Sequence, residues 1–541
     1  MSSRKTKNTG ILSNISLTAM LLYVSHALPA RAAEELNLQV AMPSAPLEVA
    51  ENTFTKDTEH PSDIKPVCRD RRTVIVSGLD LLSKKEQTHI VDHIPLCIEQ
   101  KNLNDFSKLM TASFVSAGYF KIHINHQSST KSDDIHLSVE PVRIDDIVGA
   151  SKTINPDFIF PGYKNHPYLH RRDLDQGLEQ INRLSSNHAE IDVDPSSDSA
   201  VIIRLKNQEK ERLHGSIGID NSGEIHTGKV MRRASVSLDS PLGFSDFLSM
   251  GGSQSSGTQN ISTSYNVPYG YWLLNGNISE YSKESTILLN DVKAQNRCRT
   301  QQASVQLERI IQRNGESITR LSGQLLRASV RKTLSDNLIE HQSPVITKSL
   351  IALHHTMLLS SSSLKVNVEW QRGLEKLNAT KDIAEIERQN PHAQFDKLML
   401  SDNWSGSIPI HHHTLNYEQQ FLGQYSTQRL YGREQLSISD APYIRGMSDW
   451  DVSGDNGFVF RNTLSMPFNQ SNVYVSPRIG MDIGKVWNTW ERNQKQQVRS
   501  ASIGLTLRTT SVNIDLEYAS GKTSSTSTAF NQLYASGTWS F

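Results

Sequence analysis

The chain has 541 residues, a length that suits about two to four domains. Its 56 basic and 56 acidic residues give a formal net charge of zero, so the composition indicates no surface for nucleic acid. Beyond the N-terminus, no apolar run reaches the roughly 18 residues of a membrane-spanning helix. A membrane β-barrel is still allowed, because each of its strands needs only about 9 to 11 residues and alternates apolar with polar side chains.

The N-terminus has the pattern of an export signal. Basic residues within 4–7 precede a moderately apolar stretch at 11–28, and Ala30 and Ala32 supply the small side chains of a cleavage site. We therefore predict a signal peptide at 1–32. The alternative is a poorly ordered basic N-terminus.

Residues 33–65 are predicted to be a linker. Pro43, Pro46 and Pro61 interrupt this polar stretch. Only residues 34–41 leave room for a short helix, which would lie before the first proline.

The chain contains three cysteines, Cys68, Cys97 and Cys298, which are too few for a four-ligand metal site. Export would bring them into an oxidising compartment, where cysteines can pair. We interpret Cys298 as an unpaired thiol in a loop.

Residues 66–141 are predicted to form a first small α+β domain. A strand-like run at 73–76 ends at Gly78 and is followed by two helical patterns. Strand patterns at 119–125 and 135–139 complete the domain. The second helical pattern is carried by apolar residues at near-helical spacing: Leu103, Phe106, Met110, Phe114 and Ala117.

Residues 142–211 are predicted to form a second α+β domain. A strand at 143–148 leads to a helix at 173–184, and strands at 190–193 and 201–205 follow. The helix has one apolar face, as any packed amphipathic helix does, formed by Leu174, Leu178, Ile181 and Leu184.

In residues 212–541 the helical patterns disappear, and apolar and polar side chains alternate with a period of two residues. The segments 234–239 and 512–518 alternate apolar with polar side chains, as strands between lipid and water do. Soluble β-sandwiches alternate in the same way, but the length of the region, its aromatic ending and the export signal favour a transmembrane antiparallel β-barrel of about 16 strands. Trp539 and Phe541 lie in phase at the terminus, and we interpret them as a barrel-assembly signal.

The barrel region also contains two short motifs with complementary charges. The first is Tyr443, Ile444, Arg445, Gly446 and Met447, and the second is Gly480, Asp482 and Gly484. Together they resemble the signatures of two-partner secretion transporters, the haemolysin secretion/activation (ShlB/FhaC/HecB) family. In that family a Val-Arg-Gly-Tyr/Phe loop tip folds back into the pore, and its Arg meets the Asp of a Phe/Gly-x-Asp-x-Gly strand. Without this context, a surface turn and a polar strand residue would explain the same residues.

The run at 171–186 closely resembles the second polypeptide-transport-associated (POTRA) domain of the same transporters. The resemblance extends from about residue 66 to the terminus and implies two periplasmic POTRA domains before the barrel. It also implies a disulfide between Cys68 and Cys97. The substrate-recognition residues that it implies on the second POTRA domain are Arg172, Asp173, Gln176, Gln180, Asn182 and Arg183.

The function implied by this resemblance is an outer-membrane pore that secretes one large unfolded exoprotein with an N-terminal secretion domain. A haemolysin, an adhesin or a contact-dependent inhibition toxin would be such a cargo. The cargo is expected to add as a strand to exposed sheet edges of the POTRA domains. Outer-membrane lipid and the barrel assembly machinery are the other expected partners, and no cofactor, metal, nucleic acid or enzymatic reaction is expected. The Arg445–Asp482 pair is expected in a hydrated lumen, where it would contribute about 1 to 3 kcal/mol.

Two other functions are compatible with the same patterns. A factor that inserts other barrels into the outer membrane shares the plan of POTRA domains and barrel, although two POTRA-like units and the run at 171–186 argue against it. A passive porin would leave the N-terminal domains without a role.

Two apparent sites are set aside. Residues 521–523 suggest a phosphate-binding loop, but the upstream glycine position holds Leu516, within a strand. His411, His412 and His413 would point to alternate sides of a strand and could not converge on one metal ion. We interpret the three histidines as lumen or rim side chains.

Overall fold

The chain folds into two small sheets with helices, followed by one closed barrel. The computed structural model describes residues 74–95, 100–128, 135–163, 168–289, 292–383, 387–439, 442–447, 452–470, 472–490, 495–525 and 529–541. The predicted signal peptide, the predicted linker, Cys68 and Cys97 lie outside the described residues. Within those described ranges, no helix has the length and apolarity needed to cross a bilayer.

The first domain is a three-stranded sheet with two helices. Its elements are β1 (Val74–Ser77), a 3₁₀ turn (Leu79–Leu81), α1 (Lys84–Asp92), α2 (Gln100–Ser116), β2 (Ile122–Ser128) and β3 (Ile135–Pro141). The strand order is β1-β3-β2, with β1 parallel and β2 antiparallel to the central strand. Phe106, Met110 and Phe114 of α2 are buried in the core, as their helical spacing predicts.

The second domain repeats this plan. Its elements are β4 (Arg143–Val148), α3 (Pro156–Ile159), α4 (Arg171–Asn182), β5 (Ala189–Pro195) and β6 (Ala200–Asn207), in the strand order β4-β6-β5. Leu174 and Ile181 of α4 are buried in its core. Gly177 allows α4 to approach Phe160 closely, because a Cβ at this position would lie 2.0 Å from the phenyl ring.

His170 joins the two small domains. Its Nδ1 accepts a hydrogen bond from the backbone N–H of Arg172 at 3.1 Å and so caps α4. Its Nε2 lies 3.0 Å from the carbonyl oxygen of Ala117, just past the end of α2. Both contacts together require a neutral ring that donates from Nε2. Burial lowers the pKa of the His170 imidazole, and the charge of Arg172 lowers it further.

The barrel closes where its last strand pairs with its first. The long strands are β7 (Leu213–Asp220), β8 (Met231–Asp239), β9 (Phe247–Gln254), β10 (Thr258–Tyr269), β11 (Trp272–Leu289), β12 (Val292–Arg313), β13 (Ser317–Leu334), β15 (Val345–Leu358), β16 (Ser362–Leu374), β17 (Asp396–Ile410), β18 (His413–Ser426), β21 (Asn456–Ser465), β23 (Val473–Trp487), β24 (Gln496–Arg508), β25 (Val512–Thr523) and β26 (Phe530–Ser540). Short arms beside them are β14 (Asn337–Leu338) and β22 (Phe468–Gln470), while β19 (Leu436–Ser437) and β20 (Ser453–Gly454) pair only with each other. The predicted antiparallel barrel of about 16 strands is thus confirmed.

Alternation along the barrel strands separates an outer, lipid-facing surface from the lumen. On β23, Ile479 and Met481 point outward, and Met481 is 70% exposed. Gly480 and Asp482, between and beside them, point inward. This is the pattern that a period of two produces.

The two rims of the barrel differ. At the rim that faces the second small domain, the strands are joined by short turns, such as the one from Tyr269 to Trp272. His411 and His412 form another of these turns, and both are exposed, in agreement with a rim position. At the opposite rim several connections are longer, and one of them, residues 427–455, leads from β18 to β21.

The interpretation of Cys298 as a loop thiol is wrong. Cys298 lies within β12, opposite Lys283 of β11 and Lys332 of β13. The reason is the length of β12, which has 22 residues, about twice what crossing a bilayer requires. Cys298 therefore lies in a strand that is paired on both sides and not in a loop.

Candidate functional site

The connection 427–455 is here called the inserted segment, and its described residues, 427–439, 442–447 and 452–455, fold back into the barrel lumen. The two-residue strands β19 and β20 pair its descending and returning limbs. Its apolar residues form a buried cluster with the barrel wall, listed from segment to wall as Leu436, Ile438, Tyr443, Ile444, Met447, Val452, Val459, Val486 and Val498. The predicted loop motif is therefore inside the barrel, against the strands that follow it in sequence.

Arg445 and Asp482 are in direct contact. The Nε of Arg445 donates to Oδ2 of Asp482 at 2.8 Å, and Nη2 donates to Oδ1. The backbone N–H of Arg445 also donates to Oδ2, at 2.9 Å. The pair is therefore bidentate, the geometry in which an arginine–carboxylate contact is strongest.

The rest of the guanidinium is held by the neighbouring strands. Nη2 donates to the carbonyl oxygen of Asn462 on β21 at 2.8 Å. Nη1 lies 3.3 Å from both Oγ1 of Thr463 and Oε1 of Glu517. We call Arg445 with Asp482 and Glu517 the tip contact. It joins the inserted segment to β21, β23 and β25.

The two glycines of the strand motif make room for the inserted segment. A Cβ at Gly480 would lie 2.0 Å from Nη1 of Arg445, and a Cβ at Gly484 would lie 2.5 Å from Cδ1 of Ile444. Both inward-facing positions must therefore lack a side chain. In the loop motif, Gly446 has a φ of +82°, which favours glycine, and its N–H donates to the hydroxyl of Tyr534 at 2.9 Å.

Met447 occupies the position of the usual aromatic residue in the resembled motif. Its Sδ would lie 2.7 Å from a Cβ at Gly521, so the thioether lies directly on the backbone of β25. Methionine is unbranched and flexible, and it fits this narrow space. The methionine that stands in place of the aromatic residue is thus accommodated by Gly521 on the facing strand.

The tip contact is buried, whereas the sequence predicts a hydrated pair. The side chain of Arg445 is 2% exposed and that of Asp482 is fully buried. Because the pair is removed from water, truncating one partner leaves an uncompensated buried charge, at a cost of about 3 to 5 kcal/mol. Loss of one partner is therefore expected to cost more than the about 1 to 3 kcal/mol expected for a hydrated pair.

Several contributors to this site were not predicted from the sequence. Glu517 also accepts from Ser502 at 2.8 Å, and Arg478 bonds to Asp515 at 2.8 Å. Arg461 donates to the carbonyl oxygen of the inserted residue Pro442 at 2.7 Å. The alternation of β25 already placed its carboxylates on the polar face. A period of two does not say, however, which loop that face will meet.

Three of the six predicted recognition residues of the second small domain lie against the barrel rim. Gln176 donates to the carbonyl oxygen of Gly270 at 3.0 Å, and Asp173 accepts from the hydroxyl of Tyr271. Arg183 donates to the carbonyl oxygen of Ser245 at 2.6 Å. Burial lowers the pKa of Arg183 to about 10, so the group is still charged at neutral pH. The other three residues are the buried Gln180, the exposed Arg172 and Asn182, which bonds within its own domain.

A further rim contact comes from a residue that was not predicted. Glu179 of α4 forms ion pairs with Arg313 of β12 and, at 2.9 Å, with Arg320 of β13. The helix that carries the most specific sequence match therefore joins the second domain to the barrel. Recognition of cargo by these residues is not tested by this geometry and stays a prediction.

The chain terminus closes the barrel seam. The N–H of Phe541 donates to the carbonyl oxygen of Gly215 at 3.0 Å, and the N–H of Gly215 donates back to Phe541 at 2.9 Å. The ring of Phe541 lies over Gly215, and the ring of Trp539 lies 4.9 Å from it between centroids. The role of both aromatic residues as an assembly signal stays a prediction.

Comparison with known proteins matches both parts of the chain. Residues 199–507 match the family described as haemolysin secretion/activation protein ShlB/FhaC/HecB, and residues 138–195 match the POTRA domain family. The haemolysin transporter protein ShlB of Serratia marcescens is 30% identical over 83% of this chain and 81% of its own length. The haemolysin transporter protein HpmB of Proteus mirabilis is 29% identical over 87% and 84%. The solved structure of CdiB from Escherichia coli superimposes with a TM-score of 0.83 at 24% identity, covering 99% of this chain and 100% of that one.

Proposed function

This chain belongs to the haemolysin secretion/activation (ShlB/FhaC/HecB) family and is an outer-membrane two-partner secretion pore for large exoproteins, and we propose how it selects and passes its cargo. The domains before the barrel are periplasmic in this family. The alternative of a barrel-assembly factor is not supported, because the curated relatives are secretion transporters.

We propose that the cargo is a haemolysin-type exoprotein with an N-terminal secretion domain. The support is the naming of two relatives that cover 87% and 83% of this chain, both of which are called haemolysin transporters. A contact-dependent inhibition toxin is the second candidate, because other relatives are named CdiB.

An extended segment of this cargo would be received on a sheet edge of the small domains. Within the described residues, β2 and β5 are outer strands that pair on one side only. Unpaired backbone groups on such an edge can bind an incoming strand through main-chain hydrogen bonds. β2 and β5 are therefore better placed for cargo than α4, because several polar side chains of α4 are engaged with the barrel.

The tip contact would then control passage through the barrel. The inserted segment lies inside the lumen that the cargo must traverse, and Arg445 holds it on β23 through three hydrogen bonds to Asp482. We propose that this segment leaves its position during export and returns afterwards. The buried bidentate pair is the observation on which this proposal rests.

Co-expression tests the cargo proposal directly. The full-length chain is expressed with a haemolysin-type exoprotein that carries an N-terminal secretion domain, in a host without another transporter of this family, and cargo is quantified in the medium. We expect cargo outside the cell only when the transporter is present. The same exoprotein without its N-terminal secretion domain is the matched control and should stay inside. Equal amounts of intact cargo in the medium with and without the transporter would contradict the proposal.

A further inference from the structure

The inserted segment has a second buried charged contact, on strands that precede it in sequence. Glu434 ends the 3₁₀ turn Gly432–Glu434 on the descending limb and is 2% exposed. Its Oε2 accepts from Nζ of Lys348 on β15 at 2.7 Å and from Nζ of Lys397 on β17 at 3.0 Å. The Nε of Arg433 lies 3.3 Å from Oε1. We call Glu434 with Lys348 and Lys397 the stem contact.

The groups of the stem contact have little access to water. Lys397 also donates to the backbone carbonyl of Glu434 at 3.1 Å, and Lys348 donates to Gln371 at 2.8 Å. Gln424 of β18 donates to the same backbone carbonyl at 3.0 Å. The contact therefore holds both the side chain and the main chain of this residue on the wall.

The charges of the stem contact are unequal. One carboxylate faces three cations, Lys348, Lys397 and Arg433, and no other carboxylate pairs with these cations among the described residues. Removing the charge of Glu434 would leave three buried cations close together without a counter-ion. Such an arrangement is strongly unfavourable, because buried charges are tolerated only when they are paired.

The two contacts have opposite arrangements of charge between the inserted segment and the barrel wall. At the stem the inserted segment supplies the acid and the wall supplies the bases, whereas at the tip the segment supplies Arg445 and the wall supplies Asp482 and Glu517. A segment shifted so that Glu434 met the acidic wall would place like charges together. The opposite charges therefore disfavour this shifted position through repulsion as well as attraction.

We propose that Glu434 is a positioning residue that holds the stem of the inserted segment, independently of the tip contact. The proposal rests on the proposed function, in which the segment moves during export. The tip could then detach while the stem stays on β15 and β17, and the segment would return to its original position. Full opening would require both contacts to break.

Thiol labelling of the purified full-length protein tests this, because it needs neither cargo nor export. Leu430→Cys reports on the stem, because Leu430 is buried against Ile346 of β15 and Phe395 beside β17, and Met447→Cys reports on the tip, because Met447 is buried as well. The labelling rate of each introduced thiol is measured by peptide mass spectrometry. We expect Glu434→Gln to raise the labelling rate at the stem at least tenfold. Glu340→Gln, at an exposed glutamate of another 3₁₀ turn, is the matched control and should leave it unchanged.

A charge exchange separates a specific contact from general loss of structure. Glu434→Lys combined with Lys397→Glu restores an opposite pair, and we expect it to return the stem labelling rate towards that of the unaltered protein. Equal stem labelling in Glu434→Gln and Glu340→Gln would overturn the proposal, as would an exchange variant that labels as fast as Glu434→Gln. Export of cargo is scored separately, so a failure of the proposed function would show as absent export with the labelling pattern intact.

Discussion

Replacing Gly480 by alanine tests whether the fit of Arg445 on β23 holds the tip of the inserted segment. The added Cβ would lie 2.0 Å from Nη1 and 2.2 Å from Cζ of Arg445. The guanidinium must therefore move by at least about 1 Å, which is more than the few tenths of an ångström by which its hydrogen bonds to Asp482 can lengthen. Breaking a buried ion pair costs about 3 to 5 kcal/mol. We expect the equilibrium between docked and released tip to shift by at least about 100-fold.

The assay is the labelling rate of the thiol introduced by Met447→Cys in the full-length protein. Labelling requires release of the tip, so its rate should rise in proportion to the released fraction. Gly251→Ala is the matched control, because Gly251 is also on a barrel strand and its nearest neighbours would lie 3.7 Å from the added Cβ. Equal rates in the two alanine variants would refute the argument that Gly480 is required by the guanidinium of Arg445.

Three further predictions concern export and the small domains. Arg445→Ala should abolish export while the barrel still shows heat-modifiable migration in gels, because no strand residue changes; export at the normal level would remove the tip contact from the mechanism. Glu179→Gln removes the carboxylate that pairs with Arg313 and should increase hydrogen exchange in α4 relative to the exposed control Glu190→Gln. Unchanged exchange would show that the ion pair does not hold the domain on the barrel. The pKa of His170 is lowered in the folded protein. The stabilisation that His170 gives to the contact between the two small domains is therefore complete above about pH 6.5 and is lost as the pH falls below that value. Hydrogen exchange at the start of α4, corrected for intrinsic rates, should therefore increase on acidification. The variant His170→Asn should abolish this increase, because asparagine caps the helix without titrating. The same pH dependence in both proteins would exclude His170 as its source.

Much of the fold could be predicted because helical and strand patterns depend only on residues that are close together in the sequence. Helical spacing placed Phe106, Met110 and Phe114 on one buried face, and the period of two in 512–518 separated lumen from lipid. Both patterns depend only on backbone geometry, which is the same wherever an element lies. The length of β12 was less accessible, because polar residues on both faces of a strand resemble a loop.

The sequence by itself determined the barrel, the small domains and the residues of the two motifs. Only the tertiary structure decided that Arg445 is buried, that Glu517 is one of its partners and that Glu434 lies between Lys348 and Lys397. The physical reason is that alternation assigns a side chain to a face, whereas neighbours across the lumen depend on closure of the barrel and on the path of a long segment inside it. The same reason applies to α4, since an amphipathic pattern identifies its packed face but not which surface its polar face will meet.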